Sequence, residues 1–224
     1  MRRKHALPTR LWHWMNFACL VVLFMSGLNI SNAHPRLYWG QWGFQPRQAW
    51  LFVAQFPGWI TIPSHYSLAT ARQWHMLFAW FFAVSLIAFV IVSLFNRHVW
   101  RDIVPARREW RWSAIRTDVV KHLKLDFEHP GLKFNFLQKV SYGGVIFVLL
   151  PLMILTGMAM SPGMDAIWPW LVDVFGGRQS ARSIHFICAW ALVGFFIVHI
   201  VLVLLSGPVG QIRDMITGGR DEAA

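Results

Sequence analysis

Residues 184–205 read IHFICAWALVGFFIVHIVLVLL, a run without Asp, Glu, Lys or Arg that holds two histidines, His185 and His199. At 1.5 Å per residue the run is about 33 Å long as a helix, enough to cross the ~30 Å hydrocarbon core of a bilayer. Three further runs of the same kind lie upstream, at residues 12–30, 75–95 and 140–160, and none of them carries a charged Asp, Glu, Lys or Arg. The whole chain agrees with this reading: of 224 residues 56% are hydrophobic and only 14% charged, which is a membrane rather than a soluble balance. The expected fold is therefore an all-α membrane protein, a bundle of four transmembrane helices forming one integral membrane domain over residues 1–224.

The net charge of +11 invites a nucleic-acid partner, but its distribution argues for membrane topology instead. The N-terminal tail (Arg2, Arg3, Lys4, Arg10), the loop between the second and third runs and the C-terminal tail together hold 16 of the 21 Lys and Arg. The two other loops hold five: Arg36, Arg47, Arg72, Arg178 and Arg182. By the positive-inside rule both termini and the middle loop face the cytoplasm, in the inner membrane of a bacterium, and no nucleic acid is implied. Basic Arg2, Arg3 and Lys4 before the first run give it the look of a signal peptide. His13 between Trp12 and Trp14 is odd cargo for a disposable segment, so the run reads as a retained span. The Trp-rich periplasmic loops, at residues 31–73 and 161–182, are expected to carry short interfacial helices near residues 48–56 and 166–175. Cys19 and Cys188 lie inside apolar runs and read as small hydrophobes, with a disulfide left open. No CxxCH occurs, so covalent haem attachment is excluded.

Four of ten histidines, His13, His75, His185 and His199, fall in the runs, where an ionisable side chain is a functional signal. Span one runs outward and spans two and four inward, so depth pairs His13 with His199 and His75 with His185. His185 and His199 are 14 residues apart, two heptads on one helix face and about 21 Å along the axis. That separation excludes one metal shared by all four, and a two-histidine zinc site lacks its usual third and fourth ligands. Two imidazoles on one iron fill both axial positions of a haem and favour electron transfer. Small residues match the two depths: Gly27 lies 14 residues after His13, and Gly143 and Gly157 lie 14 apart on the span without histidine. They read either as room for a macrocycle or as close helix packing. Arg72 and Arg182 near the outer pair, and Arg10 and Lys139 near the inner one, suit haem propionates or serve as interfacial anchors. Pro151 is expected to kink or loosen the third span.

Leu11-Trp12-His13-Trp14, Arg72-Gln73-Trp74-His75, and Ser180-Ala181-Arg182 leading to His185 and His199 resemble the prokaryotic dihaem cytochrome b superfamily, which includes bacterial cytochrome b561 and the cytochrome b subunits of formate dehydrogenase, nickel-iron hydrogenase and thiosulfate reductase. The resemblance covers nearly the whole chain. It implies two non-covalent haem b groups, ligated by the four histidines, that pass electrons between a membrane quinone pool (ubiquinone or menaquinone) and a periplasmic redox subunit. The overall resemblance is strongest to thiosulfate-reductase-type cytochrome b chains, whose partner is often a molybdenum-cofactor oxidoreductase, and the long periplasmic excursion suits docking of such a subunit. Lys133-Phe134-Asn135-Phe136-Leu137-Gln138-Lys139 is similar to a quinone-side stretch of formate dehydrogenase cytochromes, with Phe134 in place of a Tyr. This makes Asn135 and Gln138 quinone candidates near the inner haem, against the simpler reading of Asn135 as a helix N-cap. Two rivals stand beside this function. One is a stand-alone cytochrome b561-type quinone reductase acting on superoxide or a small reductant. The other is a four-helix proton or metal transporter, which predicts intramembrane carboxylates that the spans lack.

Overall fold

The computed structural model describes residues 5–43, 45–124 and 134–219. Arg2, Arg3, Lys4, Lys133 and Arg220, which entered the topology count or the quinone-side motif, lie outside the described residues. Four helices are long and apolar enough to cross a membrane: Leu7–Ala33, Leu68–Phe95, Phe136–Met160 and Arg178–Leu205. Each is longer than its apolar run because the flanking polar turns continue the helix.

In chain order the elements are α1 (Leu7–Ala33), β1 (Arg36–Leu37), β2 (Leu51–Phe52), α2 (Leu68–Phe95), α3 (Trp112–Leu123), α4 (Phe136–Gly144), α5 (Leu150–Met160), α6 (Pro162–Ile167), α7 (Trp170–Val174), α8 (Arg178–Leu205) and α9 (Pro208–Thr217). The third span is α4 and α5 joined by a π-helical stretch, Val145–Leu149. Pro151 explains the break: it has no N–H to give the carbonyl four residues earlier, so the helix widens just ahead of it. The all-α membrane class is as expected. Of the expected helical stretch 166–175, α6 covers residues 166–167 and α7 residues 170–174, with a break at Trp168 and Pro169. Residues 48–56 do not form the expected helix. Leu51–Phe52 pairs antiparallel with Arg36–Leu37, Leu37 facing Leu51, because this short segment gains more from the cross-strand ladder than from an isolated turn of helix.

The chain divides into two compact units. One comprises residues 1–13, 87–149 and 193–224, the other residues 14–86 and 150–192. In the second unit, the segment between α1 and α2 is fastened from two sides. Asn29, fully buried, donates to the carbonyls of Pro63 and His65 at 3.0 and 2.9 Å, and Asn32 Oδ1 accepts from Phe56 N at 2.8 Å. The same segment caps α8, whose first amides have no partner within the helix. Gly40 carbonyl accepts from Gln179 N and Ser180 N at 3.0 and 3.1 Å, and Gln41 Oε1 accepts from Arg178 N at 2.9 Å. This closeness requires Gly177: its φ is +112°, and a Cβ there would stand 2.6 Å from the Gly40 and Gln41 backbone. In the first unit, Trp12 of α1 stacks on Phe89 of α2 at 4.0 Å between ring centres, and a buried Lys139–Glu109 ion pair at 2.9 Å ties α4 to the loop before α3.

Candidate histidine-pair sites

Helix α8 carries His185 in its third turn and His199 near its end, α2 carries His75 and α1 carries His13. The pairing read from depth is the pairing observed. His75 and His185 have ring centres 6.2 Å apart at an interplanar angle of 59°, both inside the second unit. His13 and His199 have ring centres 6.4 Å apart at 58°, both inside the first. These distances have a chemical meaning. An imidazole nitrogen binds a first-row metal at about 2 Å and the ring centre lies roughly 1.1 Å behind it, so two imidazoles trans on one metal have centres about 6.3 Å apart. Both pairs stand at that spacing. Among the described residues no group of three or more His, Cys, Asp or Glu converges on one point. A bare ion would need such a group, whereas a haem brings four nitrogens of its own and asks the protein for two.

The surroundings fit the same group. Arg182 Nη2 donates to the Arg36 carbonyl at 2.5 Å, while its buried Nε–H has no acceptor among the described residues. Arg10 Nη2 donates to the Ile216 carbonyl, and its buried Nε–H likewise has none. A buried guanidinium N–H left without an acceptor is costly, and a carboxylate is its best-matched partner. Each histidine pair thus has, in its own unit, an arginine able to take a propionate. Arg72 and Arg182 also converge on His34. Burial first, then these two charges, hold the His34 imidazole below its ordinary range, so positive potential gathers at this end of the second unit.

Gly27 and Gly157 stand beside the His75–His185 pair: a Cβ on either would make an ordinary van der Waals contact, 3.6 Å from Cε1 of His75 or His185 respectively. Gly143 faces Ile103 rather than a histidine ring, a Cβ there lying 3.5 Å from Ile103 Cγ2. The Lys139 ammonium donates to both Glu109 carboxylate oxygens at 2.9 and 3.0 Å. Burial, the largest influence, pushes the Glu109 carboxyl up, yet the Lys139 bond and charge, the Ala106 N–H and the Arg108 charge together hold it below its usual range. Asn135 and Gln138 form a reciprocal capping box at the start of α4. Asn135 Oδ1 accepts from Gln138 N at 2.8 Å, and Gln138 Oε1 accepts from Asn135 N at 3.2 Å. The cysteines are free thiols, both buried.

Three features escape a reading of the sequence. Ser26 and Thr156 place their hydroxyls 3.0 Å and 2.9 Å from Nδ1 of His75 and His185. His98, expected in a loop, is buried with Nδ1 2.7 Å from Asp102 Oδ2, and Arg101 donates to both oxygens of that carboxylate at 2.9 Å. The i, i+4 spacing of His98 and Asp102 was the available signal. An apolar recess of about 430 Å³ is lined by Phe24, Met25, Leu28, Phe56, Trp59, Ile60 and Trp190.

A profile of the prokaryotic cytochrome b561 family matches residues 4–218. The chain is 29% identical to the Azospira oryzae protein named as protein-methionine-sulfoxide reductase subunit YedZ1, over 88% of this chain and 87% of that one. It is 23% identical to a Cupriavidus necator protein named as a Ni/Fe-hydrogenase B-type cytochrome subunit, over 95% and 84%. With the Escherichia coli cytochrome YdhU it shares 28%, over 96% and 72%. No solved structure gives a significant match. Four membrane-length helices, histidine pairs at iron-ligand spacing and a match along almost the whole length agree: the chain belongs to the prokaryotic cytochrome b561 family.

Proposed function

We propose that this membrane b-type cytochrome holds two haem b groups, one between His75 and His185 and one between His13 and His199, and relays electrons between a membrane quinone and a redox subunit outside the membrane. The observation that carries the reading is the repeated ring-centre spacing, 6.2 and 6.4 Å, in two separate units of the fold. When bound, a haem held by a histidine pair would supply a one-electron iron couple suited to electron transfer. The chain's own residues do the rest. Each histidine presents a ring nitrogen from a rigid helix. Arg182 and Arg10 each offer a buried N–H to a propionate, with Arg72 adding positive charge on the Arg182 side. Gly27 and Gly157 keep side chains away from the ring edges of His75 and His185.

The quinone is proposed to exchange near His13 and His199, by Asn135 and Gln138. With its oxygen engaged in the capping box, the Gln138 amide still has two N–H donors for a quinone oxygen. The 16-to-5 division of basic residues supports an inner-membrane orientation with this end and both termini cytoplasmic. The partner is proposed to be a periplasmic oxidoreductase subunit, of the molybdenum-cofactor class. Relatives named as reductase and hydrogenase subunits support a multi-subunit assembly over a stand-alone enzyme.

Haem stoichiometry and four variants test the assignment. Pyridine haemochrome against protein mass should give two haems b per chain. His75→Ala and His185→Ala should remove one spectral component, and His13→Ala and His199→Ala the other. A ratio near one, or the same component lost from His13→Ala and His75→Ala, refutes the ligand set.

A further inference from the structure

Ser26 on α1 and Thr156 on α5 are both fully shielded from solvent and lie in spans that supply no ligand to the His75–His185 pair. Each hydroxyl approaches a carbonyl of its own helix four residues back: Ser26 Oγ is 2.7 Å from Val22 O, and Thr156 Oγ1 is 2.7 Å from Leu152 O. Two oxygens meet at that distance only with a hydrogen between them, and a hydroxyl has one to give. That hydrogen is therefore committed to the helix. The remaining lone pairs face Nδ1 of His75 at 3.0 Å and Nδ1 of His185 at 2.9 Å, and can only accept. Each Nδ1 must then carry the ring proton, which leaves Nε2 of both histidines as a bare lone pair.

The residue after each hydroxyl is a glycine, Gly27 or Gly157, and each glycine stands against Cε1 of the same ring its neighbour bonds. Ser26-Gly27 and Thr156-Gly157 are thus one arrangement used twice, a hydroxyl that holds Nδ1 followed by a glycine beside the same ring edge. Back-bonding of Ser or Thr to the carbonyl at i−4 is common in helices and by itself needs no ligand. It does not account for two such hydroxyls meeting the Nδ1 atoms of two facing histidines. We propose that Ser26 and Thr156 are positioning residues that fix the tautomer and ring plane of His75 and His185 and lower the reduction potential of the iron these rings hold. The inference rests on the assignment of His75 and His185 as axial ligands.

The sign follows from basicity. An imidazole whose Nδ1–H is hydrogen-bonded donates more electron density through Nε2, which favours the ferric state and lowers the potential. Outer-shell partners are worth about 10–100-fold in metal affinity. A tenfold difference in affinity between ferric and ferrous iron reads as about 59 mV in a one-electron couple. The ring planes, canted at 59°, set the ferric low-spin resonance, so a ring freed to rotate changes its largest g value.

Ser26→Ala and Thr156→Val remove the hydroxyls with little change of volume. In the full-length, haem-loaded protein, redox titration and electron paramagnetic resonance should show one midpoint raised and one low-spin signal altered, the other haem unchanged. Ser26→Thr and Thr156→Ser should restore both. Loss of that one haem, recovered by the conservative variants, supports the same role. Two unshifted midpoints with unaltered signals overturn it, and so does a haem loss that the conservative variants fail to recover. His75→Ala is run alongside. If it leaves haem content unchanged, the ligand assignment itself is wrong and this inference falls with it, a result told apart from unshifted midpoints in a protein that loses haem on His75→Ala.

Discussion

Asn135 at the start of α4 can be made to separate capping from quinone binding, because the two roles use different atoms. Its Oδ1 accepts from Gln138 N at 2.8 Å, and the residue is 3% exposed, so alanine deletes a buried cap. Loss of an N-cap costs about 0.5–2 kcal/mol, and a buried N–H left without an acceptor about 1–3 kcal/mol. These are two views of one bond, so Asn135→Ala should destabilise by about 1–2 kcal/mol. Asn135→Asp keeps an acceptor in place, adds a charge favourable at a helix N-terminus, and removes the N–H donors. Gln138→Glu does the same at the other half of the box, where Oε1 accepts from Asn135 N at 3.2 Å. Thermal loss of haem absorbance reads stability, and stopped-flow haem reoxidation by added quinone reads exchange. The expected pattern is a lower melting temperature for Asn135→Ala, near-normal melting for the two acidic variants, and slowed reoxidation in both of them. Normal reoxidation in Asn135→Asp and Gln138→Glu moves the quinone site elsewhere, and unchanged melting in Asn135→Ala refutes the capping energetics.

Arg182→Gln should weaken retention of the haem lost in His75→Ala, and Arg10→Gln that lost in His13→Ala, each without affecting the other. Competitive haem transfer to an apo-acceptor measures both rates. The depressed His34 pKa carries a pH dependence whose sign is fixed: above about 6.5 the ring is neutral folded or unfolded, and below it the unfolded chain binds a proton that the folded site resists. Stability should therefore fall as pH drops below about 6.5, and His34→Gln should flatten that part of the profile in a melting series.

What the sequence disclosed and what it withheld divide along one physical line. The spans were legible because about 20 uncharged residues leave a chain few options in a bilayer. The histidine pairing was legible because helix direction alternates and rise per residue is fixed. Gly27 and Gly157 gained their meaning from register with those histidines. Features that depend on which side chains meet between distant segments were hidden. Lys139 and Glu109 are 30 residues apart, and nothing local joins them. The ladder of Arg36–Leu37 with Leu51–Phe52 is too short to show an alternating pattern, which is why residues 48–56 looked helical. Ser26 and Thr156 looked like the occasional small hydroxyl that apolar spans tolerate.

That last omission bears on how one chain can hold two similar sites and keep them distinct. The histidines do not separate them: both pairs are two histidines, spaced within 0.2 Å of one another and canted within 1°. Their neighbours do. His75 and His185 each rest Nδ1 on a hydroxyl anchored to its own helix, whereas His199 lies flat against Phe195, ring centres 6.0 Å apart at 13°. A hydrogen bond to Nδ1 feeds electron density toward Nε2, and a stacked phenyl ring restrains the plane without accepting a proton. On the proposed haem assignment, like histidine pairs with unlike neighbours would give the two irons different potentials without changing what binds them. On that assignment, the residues behind the histidines, rather than the histidines, are where relatives serving different partners should diverge.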